Sequence, residues 1–482
     1  MSLSGALSNA ISGLTANARG TTVISANIAN ALNPEYGRRE LILTTDIQQT
    51  SGGVRVAQVT RHSDPILAYQ TRMASAEYAG HSARAAFDID AERLIGSIDT
   101  LGSIAGNLTR FEAALLSAAS DPSSYTRLKS LSVEAETFVS SLRAASDGLD
   151  DLRSRADQQI ASGVDQINLG LSQLEDLNAR IMSAKHLGQD TNGLMDQRDA
   201  VLDQVSEFVP LHVVERDSGK IAVFTAQGRT LLDESAVKLS FVRTPIVLAH
   251  MNVGNGLVSR LQIDGQDVDV PGAGMLNGGG LAAHFELRDV IVPKSQARLD
   301  GIARDVIERF GPGGPDTSLS PGDPGIFTDA GLAFAVADEA GLAGRVSLNA
   351  ALISTSPELW RWRDGINAAV QGDAGNSDLL MGLQAQMSAQ QLPGSSALDT
   401  GAQTLVGHLQ QLSSEVASNR VRSDEAKSSA WARLDDARQA TAVDGVNTDR
   451  ELQHLIALEK AYAANARVVQ VVDDMLSELL GI

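Results

Sequence analysis

A stretch of about 65 residues without a proline, from Pro122 to about Leu187, constrains this chain more than any other feature. As one helix it would run about 100 Å at ~1.5 Å per residue. Apolar residues recur along it at Leu128, Leu131, Ala135, Phe138, Leu142, Ala145, Leu149, Leu152 and Ala156. The stripe then shifts by one residue to Ile160, Val164, Ile167, Leu171, Leu174 and Ile181. A seam of that length needs a packing partner, because short-range propensity does not hold an apolar stripe in water. The expected partners are the helix following Pro65 and a helix near 399–440, whose Leu405, Leu409, Leu412 and Val416 share one face. Gly163 and Gly170 are expected to weaken the rod locally.

Helix-start signals stand at Asp64-Pro65, Asp121-Pro122 and Ser356-Pro357, each pairing a capping side chain with a proline suited to the first turn. Between 210 and 282 the period falls to two, with β-type runs at 211–216, 220–225, 238–243 and 257–263. Asp217-Ser218-Gly219 and Asp264-Gly265 supply turns. Pro293 predicts a break in the helical stretch that ends near Phe310. The chain ends are helical again. Residues 3–30 carry Leu3, Leu7, Ala10, Leu14, Ile24 and Ile28 at coiled-coil spacing, with Ile11 alongside and Asn17 and Thr21 as polar members. Residues 449–481 carry Leu455, Leu458, Tyr462, Asn465, Val469, Val472, Leu476 and Leu479. Each seam has an asparagine near its middle, and Asn17 is expected at the depth of Asn465 in an antiparallel pair.

The fold class this predicts is mainly α with an inserted β-rich domain, elongated, its domains nested and discontinuous and its terminal helices pairing as a coiled-coil-like bundle. Residues 1–60 and 443–482 form the terminal helical domain in this reading. Residues 61–209, 281–311 and 351–442 form a long-helix bundle, and 210–280 the β-rich outer domain, with 312–350 as a further candidate segment of it.

The 482 residues hold 39 Lys and Arg against 59 Asp and Glu, a net charge of −20. Such a chain repels polyphosphate, so neither nucleic acid nor an anionic membrane is an expected partner. Cysteine is absent, which removes thiol nucleophiles, disulfides and thiolate metal sites. No apolar run is long enough to span a bilayer, and the N-terminus has no charged and apolar leader. The common phosphate, acyl-transfer, zinc and calcium motifs are missing. The eight histidines are scattered. Asp264, Asp267 and Asp269 read as a solvated hairpin tip rather than a cation site. Asn107-Leu108-Thr109 has the glycosylation pattern, too short to carry weight. No catalytic residue, metal or cofactor is assigned.

Longer motifs carry more. Ser12-Gly13-Leu14-Thr15-Ala16-Asn17, then Ser25-Ala26-Asn27-Ile28-Ala29-Asn30 and Pro34-Glu35-Tyr36-Gly37-Arg38, resemble the N-terminal signature of flagellar axial proteins of the rod, hook and hook-associated group. Gly445-Val446-Asn447-Thr448-Asp449-Arg450-Glu451, Tyr462-Ala463-Ala464-Asn465-Ala466-Arg467-Val468-Val469 and Asp473-Asp474-Met475-Leu476 resemble the matching C-terminal segment. Inside the chain, Asn192-Gly193-Leu194-Met195-Asp196-Gln197-Arg198-Asp199, Gly279-Gly280-Leu281 and Gln296-Ala297-Arg298-Leu299-Asp300 resemble the hook-associated family of the hook–filament junction. Gly311-Pro312-Gly313 departs from that family's usual Asn and His.

The resemblance implies a structural, non-enzymatic subunit of the bacterial flagellum, exported through the flagellar type III pathway without a cleaved signal and assembling helically with itself. Its implied partners are the hook protein, the second hook–filament junction protein and an export chaperone at the C-terminal region. The implied axial interface is Leu7, Ile11, Leu14, Asn17, Ile24, Asn27, Ile28 and Asn30 with Leu455, Leu458, Tyr462, Asn465, Val469, Val472, Leu476 and Leu479. A rod or hook subunit is the alternative, which the long helix disfavours. An enzyme on a flagellar scaffold is a further one, for which no constellation of residues speaks.

Overall fold

In a computed structural model of the chain the proline-free stretch is one helix, Tyr125–His186, uninterrupted at Gly163 and Gly170. The structure describes residues 3–45, 52–96, 100, 102–270, 274 and 276–481. In chain order the elements are α1 (Leu3–Ala29), β1 (Arg39–Thr45), β2 (Val54–Arg61), α2 (Pro65–Ile95), α3 (Ile104–Ser120), α4 (Tyr125–His186) and α5 (Asn192–Phe208). There follow β3 (Leu211–Glu215), β4 (Ile221–Thr225), β5 (Thr230–Leu232), β6 (Leu239–Ser240), β7 (Leu261–Ile263), β8 (Gln266–Val268), α6 (Gly279–Glu286), α7 (Val292–Arg309) and β9 (Phe327–Asp329). The remainder are α8 (Leu342–Arg345), β10 (Val346–Leu348), α9 (Arg361–Asp364), α10 (Asp378–Ser388), α11 (Leu405–Asp444) and α12 (Thr448–Leu480). The fold is mainly α with small antiparallel sheets. It divides into two compact units, one of residues 1–78, 166–238 and 430–482, the other of 79–165 and 239–429.

The first unit holds α1, the β1–β2 hairpin, α5, the β3-β4-β5 sheet and α12. Asp64 caps α2 as expected, its Oδ1 accepting from the Ile66 and Leu67 amides at 2.8 and 3.3 Å. The β3–β4 turn is Asp217-Ser218-Gly219, where Ser218 and Gly219 have φ of 62° and 83°. Asn178 on α4 binds the next strand on both sides, its amide donating to the Ile221 carbonyl and its Oδ1 accepting from the Ile221 N–H.

The second unit is built on one apolar core. Phe111 of α3 lies within 6.4 Å, centroid to centroid, of Phe138, Phe310, Phe327 and Trp362. Around these rings are Phe87, Ala91 and Ile95 of α2, Leu131 to Leu152 of α4, Leu299 to Val306 of α7 and Leu405, Leu409, Leu412 and Val416 of α11. The seam on this part of α4 is therefore buried in a core to which both expected partners, α2 and α11, contribute. The buried Trp362 indole donates to Ser132 Oγ at 2.9 Å. Asn107 is 3% exposed, which takes the glycosylation pattern out of reach of a modifying enzyme.

Four local expectations change in the structure. Asp121-Pro122 does not start α4, since Asp121 ends α3 and α4 begins at Tyr125. Pro293 does not break the helix. Leu287–Ile291 instead forms a π-helical turn that joins α6 to α7 without leaving helical backbone, the Val292 N–H donating to the Leu287 carbonyl, and this wider turn just before the proline accommodates its missing N–H. Ser356-Pro357 opens turns that reach only the four-residue α9. The expected strands 238–243 and 257–263 shrink to β6 and β7, because the intervening backbone bonds to α4 side chains instead. Asp157 accepts from the Thr244 N–H at 2.7 Å and Ser154 Oγ from the Val247 N–H at 2.9 Å. Arg153 donates to the carbonyls of Leu248 and Met251 at 2.9 and 2.6 Å. A strand whose polar backbone is already satisfied gains nothing from a neighbour. The strands between 211 and 268 form two separate three-stranded sheets, β3-β4-β5 and β6-β7-β8.

Candidate assembly site at the chain termini

The two chain ends pack on one another. Gly13 of α1 faces Asn465, and Gly20 faces Leu458. A Cβ at these positions would lie 2.6 Å from Asn465 Nδ2 and 2.7 Å from Leu458 Cδ1. Moving forward from 13 to 20 on α1 thus corresponds to moving back from 465 to 458 on α12, so the pair is antiparallel. Glycine at both points lets the helices approach closely, and a side chain there would have to displace the end of Asn465 or Leu458.

Not every seam residue lies in the contact. On α1, Asn17, Ile24 and Asn27 are buried, Leu7, Leu14, Ile28 and Asn30 are half-buried, and Ile11 is exposed. On α12, Val472 is buried and Leu455, Leu458, Asn465 and Val469 are half-buried. Tyr462 and Leu476 are exposed, Tyr462 by 50%. The Leu479 side chain lies outside the described residues. Val468, Val471 and Met475 add a second exposed apolar row. Asn17 and Asn465 are not hydrogen-bonded to each other, since Asn465 sits a turn away beside Gly13 and Asn17 Nδ2 is buried without a partner.

Beyond α1 the signature residues fasten the returning chain. Asn27 donates through Nδ2 to the Arg39 carbonyl at 2.9 Å, and its Oδ1 accepts from the Arg39 N–H and the Tyr36 hydroxyl at 3.0 and 2.9 Å. Burial pushes the Tyr36 hydroxyl above its ordinary range, which keeps it a donor. Gly37 is obligatory here, as a Cβ would fall on the Arg61 side chain. Arg38 pairs with Glu451 at 3.0 Å, and the Glu451 carboxylate is buried at the start of α12, where the helix dipole also favours it. Asn447 caps that start by accepting from the Arg450 N–H at 3.0 Å.

The hairpin is in turn held on α5. Asp196 accepts from Arg39 Nη2 at 2.6 Å, Arg61 Nε at 2.7 Å and the Gly37 N–H at 3.1 Å. Asp199 pairs with Arg61 and Arg72 at 2.5 and 3.0 Å, and Asp203 with Arg72 at 2.6 Å. Asn192 donates to the Val59 carbonyl at 3.1 Å. The interior motif that resembled the hook-associated family is therefore the surface that receives the hairpin following α1. Sequence reasoning did not foresee this cluster. Its signal was present, since Asp196, Asp199 and Asp203 share one helical face at spacings of three and four, opposite an arginine-rich segment. Among the described residues no group of His, Asp and Glu has the arrangement of a metal site.

Two family models match the chain: the flagellar hook-associated protein FlgK helical domain over residues 90–311 and the flagellar basal body rod FlgEFG protein C-terminal segment over 439–482. Flagellar hook-associated protein 1 of Bacillus subtilis is 22% identical over 488 residues, covering 94% of this chain and 93% of that one. Over nearly its whole length the chain is thus similar to flagellar hook-associated protein 1. The Salmonella typhimurium family member is 26% identical over 323 residues, covering 64% of this chain, which spans 56% of that relative's length. In fold the chain resembles the flagellar hook junction protein FlgK from Burkholderia pseudomallei, with a TM-score of 0.58 at 14% identity over 77% of this chain and 99% of that one. The matched proteins are flagellar hook-associated proteins, and this similarity supports a flagellar location.

Proposed function

We infer that this chain is a structural junction subunit of the bacterial flagellum, joining hook to filament by helical self-assembly through its terminal helices. The observation that carries this is the α1–α12 pair, which leaves Ile11, Tyr462, Val468, Val471, Met475 and Leu476 exposed on two adjoining helices. Exposed apolar rows on a paired helix are interaction surfaces, and each side chain fully buried by a neighbour contributes about 1.5–3 kcal/mol. The residues assigned to the axial interface from the sequence are this pair and its flanks. Residues 1–60 and 443–482 act as the axial part, 61–209, 281–311 and 351–442 as the helical bundle, and 210–280 as the outer part, while Phe327 brings the further candidate segment 312–350 into the bundle core.

Its partners in this reading are further copies of itself, the hook protein and the second junction protein. An export chaperone takes the C-terminal region before secretion by the flagellar type III route, for which cysteine-free composition is well suited. A strain lacking the protein is expected to keep its hooks and shed flagellin into the medium, and attached filaments in that strain would refute the reading. Protein truncated before residue 455 and added to isolated hooks from outside should fail to join them while remaining soluble. External addition separates assembly from export.

A further inference from the structure

We propose that the α1–α12 pair has a second register, displaced by half a heptad from the one described, so that the terminal helices form a two-position ratchet within one chain. Three observations lead to it. The first is that Asn17, 8% exposed, buries an amide nitrogen that has no hydrogen-bond partner, a cost the observed packing leaves uncompensated. The second is that Tyr462, a member of the α12 seam, stands half in solvent. The third is the pattern of small residues along α1. Extending the Gly13–Asn465 and Gly20–Leu458 contacts along the two seams sets Asn17 level with Tyr462 and Ile24 level with Leu455.

Shifting α12 by half a heptad toward the C-terminal end of α1 keeps every seam residue in the seam and changes only its partners. Asn465 then meets Asn17, and each amide gains a donor and an acceptor. Tyr462 comes level with Gly20, Leu458 with Ile24, Val469 with Gly13 and Val472 with Ala10. The aromatic ring thereby gains a glycine-sized recess. The same shift moves Glu451 away from its level beside Asn27, so the Arg38–Glu451 pair is the contact that holds the observed register. Close-packed helices change between discrete positions rather than sliding continuously. This inference concerns a single chain and does not depend on the junction reading.

The absence of cysteine makes the test direct, since any disulfide reports only the introduced pair. Gly20→Cys with Leu458→Cys reports the observed register in the full-length protein, and Ile24→Cys with Leu458→Cys reports the displaced one. Ile24→Cys with Lys460→Cys, on the far side of α12, gives the background. Under mild oxidation both reporters should form disulfides roughly fivefold or more faster than the background pair, a factor at the low end of two-state couplings. Asn465→Ala should slow the displaced reporter alone, and Glu451→Gln should speed it. A displaced reporter no faster than background overturns the proposal. So does one insensitive to Asn465→Ala, which would mark fraying rather than a second register. Failure of both reporters to close would show that the pair does not form and would overturn it as well.

Discussion

The terminal pair and the core of the second unit are both helical, yet they are held by opposite means. Around Phe111, aromatic rings and branched side chains interlock, and stability there resides in volume and area. Between α1 and α12 the helices meet where Gly13 and Gly20 face Asn465 and Leu458, and a set of charged and amide hydrogen bonds at one end, from Asn27, Arg38, Arg39, Arg61 and Asp196, fastens the hairpin after α1 to α1, α5 and the start of α12. The difference teaches that the ends are positioned more than they are glued. Their apolar surface is left for something else.

Truncating the core should have the largest effect. Phe111→Ala removes a ring touching four others and is expected to cost about 3–5 kcal/mol, read as a lowered denaturant midpoint. Amide exchange in the 39–61 hairpin should be unchanged below the transition. If the hairpin loosened in parallel, the two regions would not be separable. Asp196→Ala should do the converse. It removes the carboxylate that Arg39 and Arg61 share, leaving them only Asp190 and Asp199, and is expected to cost about 3 kcal/mol locally, seen as faster exchange across β1 and β2 with the core transition unmoved.

Acid sharpens the contrast. His284 on α6 is half-buried with its Nδ1 sealed from solvent and unpartnered, and burial pushes its pKa from 6.5 to about 4. A folded-state value below the unfolded one means that its share of stability is present above about pH 6.5. That share is lost as pH falls toward 4, amounting to about 3 kcal/mol at most. Asp300, raised by burial to about 6, acts in the opposite sense: its share is full below 3.8 and lost as pH rises through 6. His284→Gln should therefore reduce the stability that the second unit loses between pH 7 and 4.5, measured by chemical denaturation at each pH. An unaltered pH profile would contradict the assignment. The smallest effect is expected at the seam. Gly20→Ala meets only the flexible end of Leu458, and about 1–2 kcal/mol of local destabilisation should appear as faster exchange in α12 alone.

What was legible in the sequence follows the range of the interactions. The spans of α1, α4 and α12 came from apolar periodicity over many turns, and the Asp64 cap from adjacent residues, so one-dimensional patterns sufficed. The pairing of the segment after α1 as a hairpin on α5 has no such local pattern. Arg61 and Asp196 are separated by 135 positions, and nothing local couples them. α3 also escaped the reading, although Ser103 caps it by accepting from the Gly106 N–H. The strands near 240 and 260 were overestimated because their alternation was real while their hydrogen-bond partners proved to be Arg153, Ser154 and Asp157 of a helix. For the terminal site, the asparagines were singled out for pairing with each other. In the structure, Asn27 instead ties the chain to Arg39, and Asn17 is left without a donor's partner.

The placement of the three tryptophans gives the protein two built-in optical probes. Trp362, sealed against Ser132 in the second unit, will emit as an indole in an apolar, hydrogen-bonded cage. Trp431 lies in the first unit, 47% exposed, its ring 5.3 Å from that of Tyr78, and will emit at longer wavelength and be open to collisional quenchers. Trp360 lies half-buried beneath the Arg361 guanidinium, whose charge shades its own band. Intrinsic fluorescence with and without iodide can thus follow each unit separately in the unmodified chain.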